Sequence, residues 1–297
     1  MAPTIEWELY RAFLGVLREG SLSGAARALG VAQPTVGRHV AALEAALGLV
    51  LFTRSQTGLL PTEAAHALRA HGEAMESTAA ALERVASGLR DGAEAAGTVR
   101  ISVSEVVGVE VMPAIVADLA RRHPALKVEL VLSNRVHDLL QREADIAVRM
   151  TAPRQEQLVA RRVGAIELGL HAHPDYLARR GTPATLADLD THAVIGYDRP
   201  TPFVRQAAKA LPGYARERFA VRTDSDVAQL ALIRAGAGIG VCQVPLAARA
   251  PALVRVLPDA FTFRLDTWVT MHEDLRASPR CRVAFDALVD GLAAYLA

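Results

Sequence analysis

Apolar residues recur at helical spacing from the start of the chain. Leu9, Phe13, Val16 and Leu17 fall on one side of a 3.6-residue wheel, predicting a helix over 4–19 whose packed side also takes Trp7 and Tyr10. Ser21 and Ser23 can cap a short second helix in which Ala25, Ala26 and Leu29 form a stripe, ended by Gly30. Past the turn Gly30-Val31-Ala32-Gln33, Pro34 lacks an amide hydrogen and so suits the first turn of a third helix, which runs to about Leu47. On that helix Val36, Val40, Leu43 and Leu47 share one face, and Thr35, Arg38, Ala41, Ala42 and Ala45 lie roughly opposite. The first face belongs to a core. The second is small apart from one arginine, the profile of a surface that enters a major groove, where bulky side chains clash and a guanidinium reaches phosphate or guanine. After Gly48, Leu49–Phe52 reads as a strand, Gly58 turns the chain before Leu59 and Leu60, and the resulting wing carries Arg54 at its tip. By spacing alone, two short helices joined by a glycine turn fit any helical hairpin equally well.

From Thr62, a candidate cap, helical residues run to about Asp91 without a proline. Leu68, Met75, Leu82 and Leu89 recur every seventh residue, and Gly72, Ala79 and Ala86 sit four beyond each of the first three. Such a repeat predicts a coiled-coil partner, with small residues allowing close approach; the alternative is a helix lying on its own domain. Residues 91–98 then form a Gly/Ala-rich joint. Beyond it the pattern alternates: strand Val99–Val103, helix Val106–Arg122, strand Lys127–Leu132, helix Val136–Glu143 and strand Asp145–Arg149. Further strands are expected at Glu167–His171, Val194–Tyr197, Phe219–Arg222, Gly240–Val244 and Arg264–Met271, with helices near Leu186, over Ser225–Ala235 and over Cys281–Leu296. This alternation predicts a mainly parallel sheet covered by helices on both faces.

Composition adds bounds. The chain has 297 residues, enough for two or three domains. Its net charge of +1 advertises no global attraction to nucleic acid, so any DNA contact depends on a local cluster of arginines. Cys242 and Cys281 are too far apart in sequence for a metal motif or a disulfide framework, consistent with a reducing compartment. The start MAPTIEWELY lacks the pattern of an export signal, and no stretch reaches the roughly 18 continuous apolar residues of a membrane span. The expected location is the cytoplasm, with no membrane partner.

Several ordered motifs in the first 65 residues carry a family likeness. Gly20-Ser21, Ala25-Ala26 to Leu29, Gln33-Pro34-Thr35-Val36, Leu43-Glu44 to Leu47-Gly48 and Leu51-Phe52-Thr53-Arg54 closely resemble the N-terminal domain of LysR-type transcriptional regulators. Gly37 departs from the family's usual serine, and Ala65 from its usual glycine. The remainder is similar to the LysR effector domain through Gly97 to Ser104, Glu143-Ala144-Asp145-Ile146-Ala147-Val148-Arg149, His173-Pro174-Asp175-Tyr176-Leu177 and Gly236-Ala237-Gly238-Ile239-Gly240.

The resemblance implies a fold and a division of labour. It gives a winged helix-turn-helix over 1–62, a linker and dimerisation helix with its joint over 63–96, and an effector-binding domain over 97–297. That domain has a type 2 periplasmic-binding-protein fold, with lobe I at 97–165 and 267–297, lobe II at 166–266, and crossover strands near Glu167 and Asp266. The implied partners are double-stranded DNA, a small-molecule effector, and further copies of the chain as a homodimer through the linker helix and a homotetramer.

Site residues follow. Gln33, Thr35 and Arg38 are the expected groove contacts, with Arg54 for phosphate or minor groove, Pro34 shaping the helix start, and Ser23 and His39 completing the DNA surface. For the effector, the strand-to-helix turns at Ser102-Val103-Ser104-Glu105 and Thr223-Asp224-Ser225-Asp226 point helix starts toward a cleft. With Arg149 they predict an anionic effector touching Ser102, Ser104, Arg149, Tyr197, Thr223 and Asp224; read singly, Ser104 and Ser225 fit plain helix caps and Arg149 a surface ion-pair partner equally well. Gly236-x-Gly238-x-Gly240 follows a helix and precedes a strand, the reverse of a dinucleotide loop, and reads as a helix-ending turn. His171-x-His173 lacks the companions of a metal site. No nucleophile elbow, phosphate loop or zinc signature is present, so neither catalysis nor a cofactor is expected. The competing class is a solute-binding protein or an enzyme on the same two-lobed scaffold. The absence of an export signal and of a catalytic constellation argues against both.

Overall fold

The computed structural model describes residues 5–55, 58–90, 95–134, 144–153, 158–200, 202–211, 214–249 and 252–297; for 81, 84–90, 202, 203, 207 and 210 it describes the backbone alone. The chain divides into two compact units, one built on residues up to Glu83 and the other on the chain from Arg84 onward.

The first unit holds α1 (Trp7–Glu19), α2 (Leu22–Leu29), α3 (Gln33–Leu47), β1 (Phe52–Ser55), β2 (Gly58–Pro61) and the start of α4 (Glu63–Arg90). Its core joins Phe13, Leu14 and Val16 of α1, Ala25 and Ala26 of α2, Val36, Val40 and Leu43 of α3, and Leu51 and Phe52 at the wing. The wing begins at Phe52 rather than Leu49. Glu44 is the reason: its Oε1 accepts from the amides of Leu51 at 2.6 Å and Phe52 at 3.2 Å, which turns the chain beneath α3 before a hairpin can pair. Arg54 then pairs with Leu59, one step short of the Ser55–Gly58 pair, so it flanks the tip; residues 56 and 57 lie outside the described residues. Gly58 adopts φ +134°, and a Cβ there would stand 2.7 Å from the Gly20 carbonyl oxygen, which accepts from the Leu59 amide at 2.9 Å. Glycine is what lets the hairpin dock on the end of α1.

Thr62 caps α4, accepting from the Ala65 amide at 3.3 Å. Along α4, Leu68 packs on the first unit's core. Gly72 lies on Leu14, where an added Cβ would meet a methyl at 3.0 Å. The small residue expected to face a second chain is thus used within this one, and Arg18 pairs with Glu76 one turn further on. Met75 and Leu82 are 42% and 71% exposed. The side chains of Ala86 and Leu89 lie outside the described residues.

The second unit is built from β3 (Gly97–Val103), α5 (Glu105–Glu110), α6 (Met112–Arg122), β4 (Leu126–Leu132), β5 (Ile146–Arg149), β6 (Leu158–Ala172), α7 (Pro174–Arg180), β7 (Val194–Gly196), α8 (Pro202–Ala210), β8 (Phe219–Arg222), α9 (Asp226–Arg234), β9 (Gly240–Gln243), α10 (Val244–Ala247), β10 (Val254–Val256), β11 (Phe263–His272) and α11 (Pro279–Leu296). The single helix expected over Val106–Arg122 breaks at Val111, because Pro113 cannot donate to the carbonyl four residues back and its ring crowds the preceding turn. The helix expected over Val136–Glu143 lies outside the described residues. The helix near Leu186 is a 3-10 turn over Leu186–Thr191.

The sheet is mixed rather than mainly parallel. Its order is β10-β6-β11-β5-β3-β4, with β9 also paired to β6. Among the described residues only β3 pairs parallel with its neighbours β4 and β5 there; β6 and β11 pair antiparallel with each other and with the strands beside them. A separate parallel pair, β7–β8, connects to the segment before β9 through a bridge between Val194 and Ile239. β6 and β11 run through both halves: Leu158–Gly164 with Thr267–His272 lies beside β5, and Ala165–Ala172 beside β9 and β10. Between the halves the register slips at Thr267/Trp268, where Thr267 faces Gly164 and Trp268 faces Arg162. α11 and α6 bury one face of the sheet through Leu288, Leu292, Ile115 and Leu119 against Val99, Ile101, Ile146 and Val148.

The glycine triplet is structural, as its position after a helix predicts. At Gly238 an added Cβ would lie 2.3 Å from the backbone oxygen of Ala193, which accepts from the Ile239 amide at 2.8 Å. Gly238→Ala is expected to lower stability by about 1–3 kcal/mol through this overlap; an unchanged melting temperature would contradict the close approach.

Candidate nucleic-acid interface and ligand site

α3 is anchored by its dry side. Val36, Val40 and Leu43 are buried, whereas Gln33, Pro34, Arg38, Ala41, Ala42 and Ala45 are exposed and Thr35 and His39 half-buried. Arg38 donates from Nη2 to Thr35 Oγ1 at 3.4 Å, which holds the guanidinium along the outer face. Arg54 is exposed on β1, and Glu44 fixes that strand to the end of α3. Ser21 rather than Ser23 caps α2, accepting from the Gly24 amide at 3.1 Å; Ser23 is an exposed residue of the first turn. At Gly37 a Cβ would find only Leu22 Cδ1, at 3.6 Å, so a serine would fit there without displacement. Ala65 is wholly buried.

In the second unit α5 follows β3 in one half of the sheet and α9 precedes β9 in the other, and the two helices lie side by side. At their starts, Asn134 Nδ2 donates to Asp226 Oδ2 at 2.9 Å, and Asn134 Oδ1 accepts from the Glu105 amide at 3.1 Å. Ser225 Oγ lies 3.5 Å from Glu105 Oε2 and also caps α9. Tyr197 donates its hydroxyl to Asp226 Oδ1. At their ends, Arg234 makes a two-pronged pair with Glu110 at 2.6 and 2.8 Å, and Arg249 donates to the Glu110 carbonyl at 2.6 Å. The Arg234 hydrogen bonds hold the Glu110 carboxyl below its ordinary range against the cost of burial. Burial has the opposite effect on Asp226, raising it despite the two donors, and pushes Tyr197 well above the usual phenol range with help from Asp226.

The residues expected to hold an effector separate into two groups. Ser104 stands half-buried at the start of α5 with its hydroxyl making no cap bond, Thr223 reaches the Ser225 amide at 3.3 Å, and Tyr197 joins the Asp226 cluster. The others are turned to internal work. Arg149 is only 7% exposed and donates to Ser102 Oγ at 2.7 Å and to the Val148 carbonyl at 3.0 Å, so Ser102 and Arg149 brace β3 against β5. Asp224 accepts from the amides of Asp198 and Arg199 at 3.1 and 2.9 Å and closes the loop after β7. Sequence reasoning missed Glu105, Asn134, Asp226, Glu110 and Arg234 as a group. Asn134 and Asp226 stand 92 residues apart, and no local pattern announces that they meet. His171 is buried against the Gly169 carbonyl and pushed down to about 4, chiefly by burial, while His173 caps α7. No group of residues suited to a metal ion occurs among the described residues.

A winged helix-turn-helix joined to a two-lobed α/β ligand domain defines a ligand-responsive transcriptional regulator. The description "Bacterial regulatory helix-turn-helix protein, lysR family" matches residues 7–66, and "LysR substrate binding domain" matches residues 92–293. The chain belongs to the LysR family of bacterial transcriptional regulators. It is 29% identical over 187 residues to an HTH-type transcriptional regulator of Xanthomonas campestris pv. campestris, a match spanning 62% of this chain but 53% of that relative's length. It is 27% identical to the probable HTH-type transcriptional regulator LtrA of Klebsiella pneumoniae over 93% of this chain and 91% of LtrA. Among solved structures, full-length CbnR in complex with its target DNA shares the fold with a TM-score of 0.66 at 21% identity, over 96% of this chain and 99% of CbnR. These relatives are regulators, not enzymes.

The raised Asp226 fixes the sign of a pH effect. Its proton is held more tightly in the folded chain than in the unfolded one, whose carboxyl titrates near the ordinary 3.8, so stability is fully present below 3.8 and is lost as pH rises through the higher folded value. Wild type is therefore expected to gain stability relative to Asp226→Asn as pH falls from neutrality toward that window. A difference in melting temperature that stays flat with pH would contradict the partial burial of this carboxylate.

Proposed function

We propose that the chain works in the cytoplasm as a dimeric regulator, assembling to a tetramer, that reads a partly palindromic duplex and responds to a small molecule held between its two lobes. In this reading residues 1–62 bind DNA, 63–96 link and pair two chains, and 97–297 bind the effector, with lobe I at 97–165 and 267–297 and lobe II at 166–266. The observation that carries the DNA half is the division of α3 into a buried Val36-Val40-Leu43 stripe and an outward face bearing exposed Gln33 and Arg38 with half-buried Thr35. Gln33, Thr35, Arg38 and His39 then face the groove. Pro34 sets the helix start, and Ser23 and Arg54 flank it on the phosphate backbone.

Exposed Met75 and Leu82, seven residues apart on α4, support pairing of two linker helices, because a second copy would remove both from water. For the effector half, Ser104, Thr223 and Tyr197 line the cleft. Ser102, Arg149 and Asp224 hold its walls. A ligand that favours one relative position of α5 and α9 shifts the population of assembly states and hence the grip on DNA.

The test is a mobility shift on DNA upstream of the chain's own coding region. Arg38→Ala should weaken binding and flatten its dependence on salt, by about one unit of slope if Arg38 meets a phosphate; equal affinity across salt removes Arg38 from the interface. Leu82→Glu should shift the sedimentation equilibrium toward smaller species, and an unchanged assembly would reject pairing through α4.

A further inference from the structure

The proposed ligand cleft carries a charge that can be counted. Two helix starts meet there, each worth roughly half a positive charge at most, and α5 is only six residues long. Against that total of about +1 stand two full carboxylates, Glu105 and Asp226, at the first position of α5 and of α9. The helix ends that would attract an anion are therefore already matched by the chain's own acids, with about one negative charge in excess.

Among the described residues no basic side chain bonds either acid. Arg149 is committed to Ser102 and Val148, while Arg199 and Arg216 are paired with Asp224 and Asp198 at 3.4 and 2.7 Å. What meets Asp226 instead is a pair of neutral donors, the Tyr197 hydroxyl and the Asn134 amide. A third group points the same way. The Tyr214 side chain is 4% exposed, packs edge-on to Phe219, lies near enough to Asp226 to feel its charge, and leaves its hydroxyl without a hydrogen-bond partner among the described residues. A buried phenol oxygen within electrostatic reach of a half-buried carboxylate is an acceptor set that an N–H-bearing cation would complete.

We infer that the effector is a small organic cation, an amine or guanidine, whose charged end lies between Glu105 and Asp226 and donates to the Tyr214 hydroxyl. The inference rests on the lobe cleft being the effector site. Asn134 fills the ligand's place on Asp226 in the unliganded chain. The arriving cation displaces it and cuts the bridge between the starts of α5 and α9, while the Glu110–Arg234 pair still joins their far ends.

Calorimetry on the full-length protein with putrescine, agmatine and succinate tests this. Putrescine or agmatine should bind wild type and weaken about tenfold or more in Asp226→Asn, with a smaller loss in Tyr214→Phe; succinate should bind less tightly than either. Should Asp226→Asn fail to fold, Glu105→Gln takes its place. Succinate binding wild type more tightly than the amines, and tightening further in Asp226→Asn, overturns the cation but leaves the cleft standing. Amine binding indifferent to all three variants overturns the cation together with the cleft, and amines that do not bind wild type at all overturn the cation.

Discussion

The N-terminal unit depends on which side of α3 is dry. Val36, Val40 and Leu43 each bring about 1.5–3 kcal/mol of apolar burial to a domain whose net stability is of the same order as their sum. The opposite face contributes almost nothing to that balance. Its alanines and its arginine are therefore free to suit a duplex, and the Glu44 carboxylate, bonded to the amides of Leu51 and Phe52, carries the wing along with the helix as one body. Folding therefore leaves the outer side chains of this element uncommitted.

In the second unit the corresponding constraint is electrostatic. α5 and α9 are joined at one end by a two-pronged ion pair whose members are 27% and 17% exposed, and at the other by the Asn134 amide, which shares the half-buried Asp226 carboxylate with the Tyr197 phenol. The two ends differ in kind. Breaking the ion pair would strand charges with little water to compensate, whereas exchanging the donors on Asp226 for those of a ligand keeps its oxygens satisfied. The easily exchanged end is also the one that faces Ser104, Thr223 and Tyr197.

What the residue pattern disclosed followed periodicity. The α1–α3 core, the Thr62 cap and the final helix are legible because each has a regular apolar stripe or a local capping signal, whereas the crossover role of the strands near Glu167 and Asp266 came from the family resemblance. The first half of β6 was hidden, since Leu158–Gly164 carries Arg161 and Arg162 on exposed positions and so lacks the alternation of a half-buried strand. α7 and α8 begin at Pro174 and Pro202, residues that read as loop until their place at a helix start is known. The antiparallel pairing of β6 and β11 joins segments about a hundred residues apart, beyond any local signal. Arg149 shows the same limit: its place at a strand end was readable, but not the Ser102 hydroxyl that engages it.

The two long strands that thread both lobes have a mechanical meaning. A hinge made of loops lets lobes swing with little restoring force. A paired ribbon such as β6–β11, continuous through the slip at Thr267/Trp268, resists bending and yields mainly in torsion. A twist between the lobes would strain this pairing, so the ribbon would draw them back to one rest position rather than leave them where they were moved.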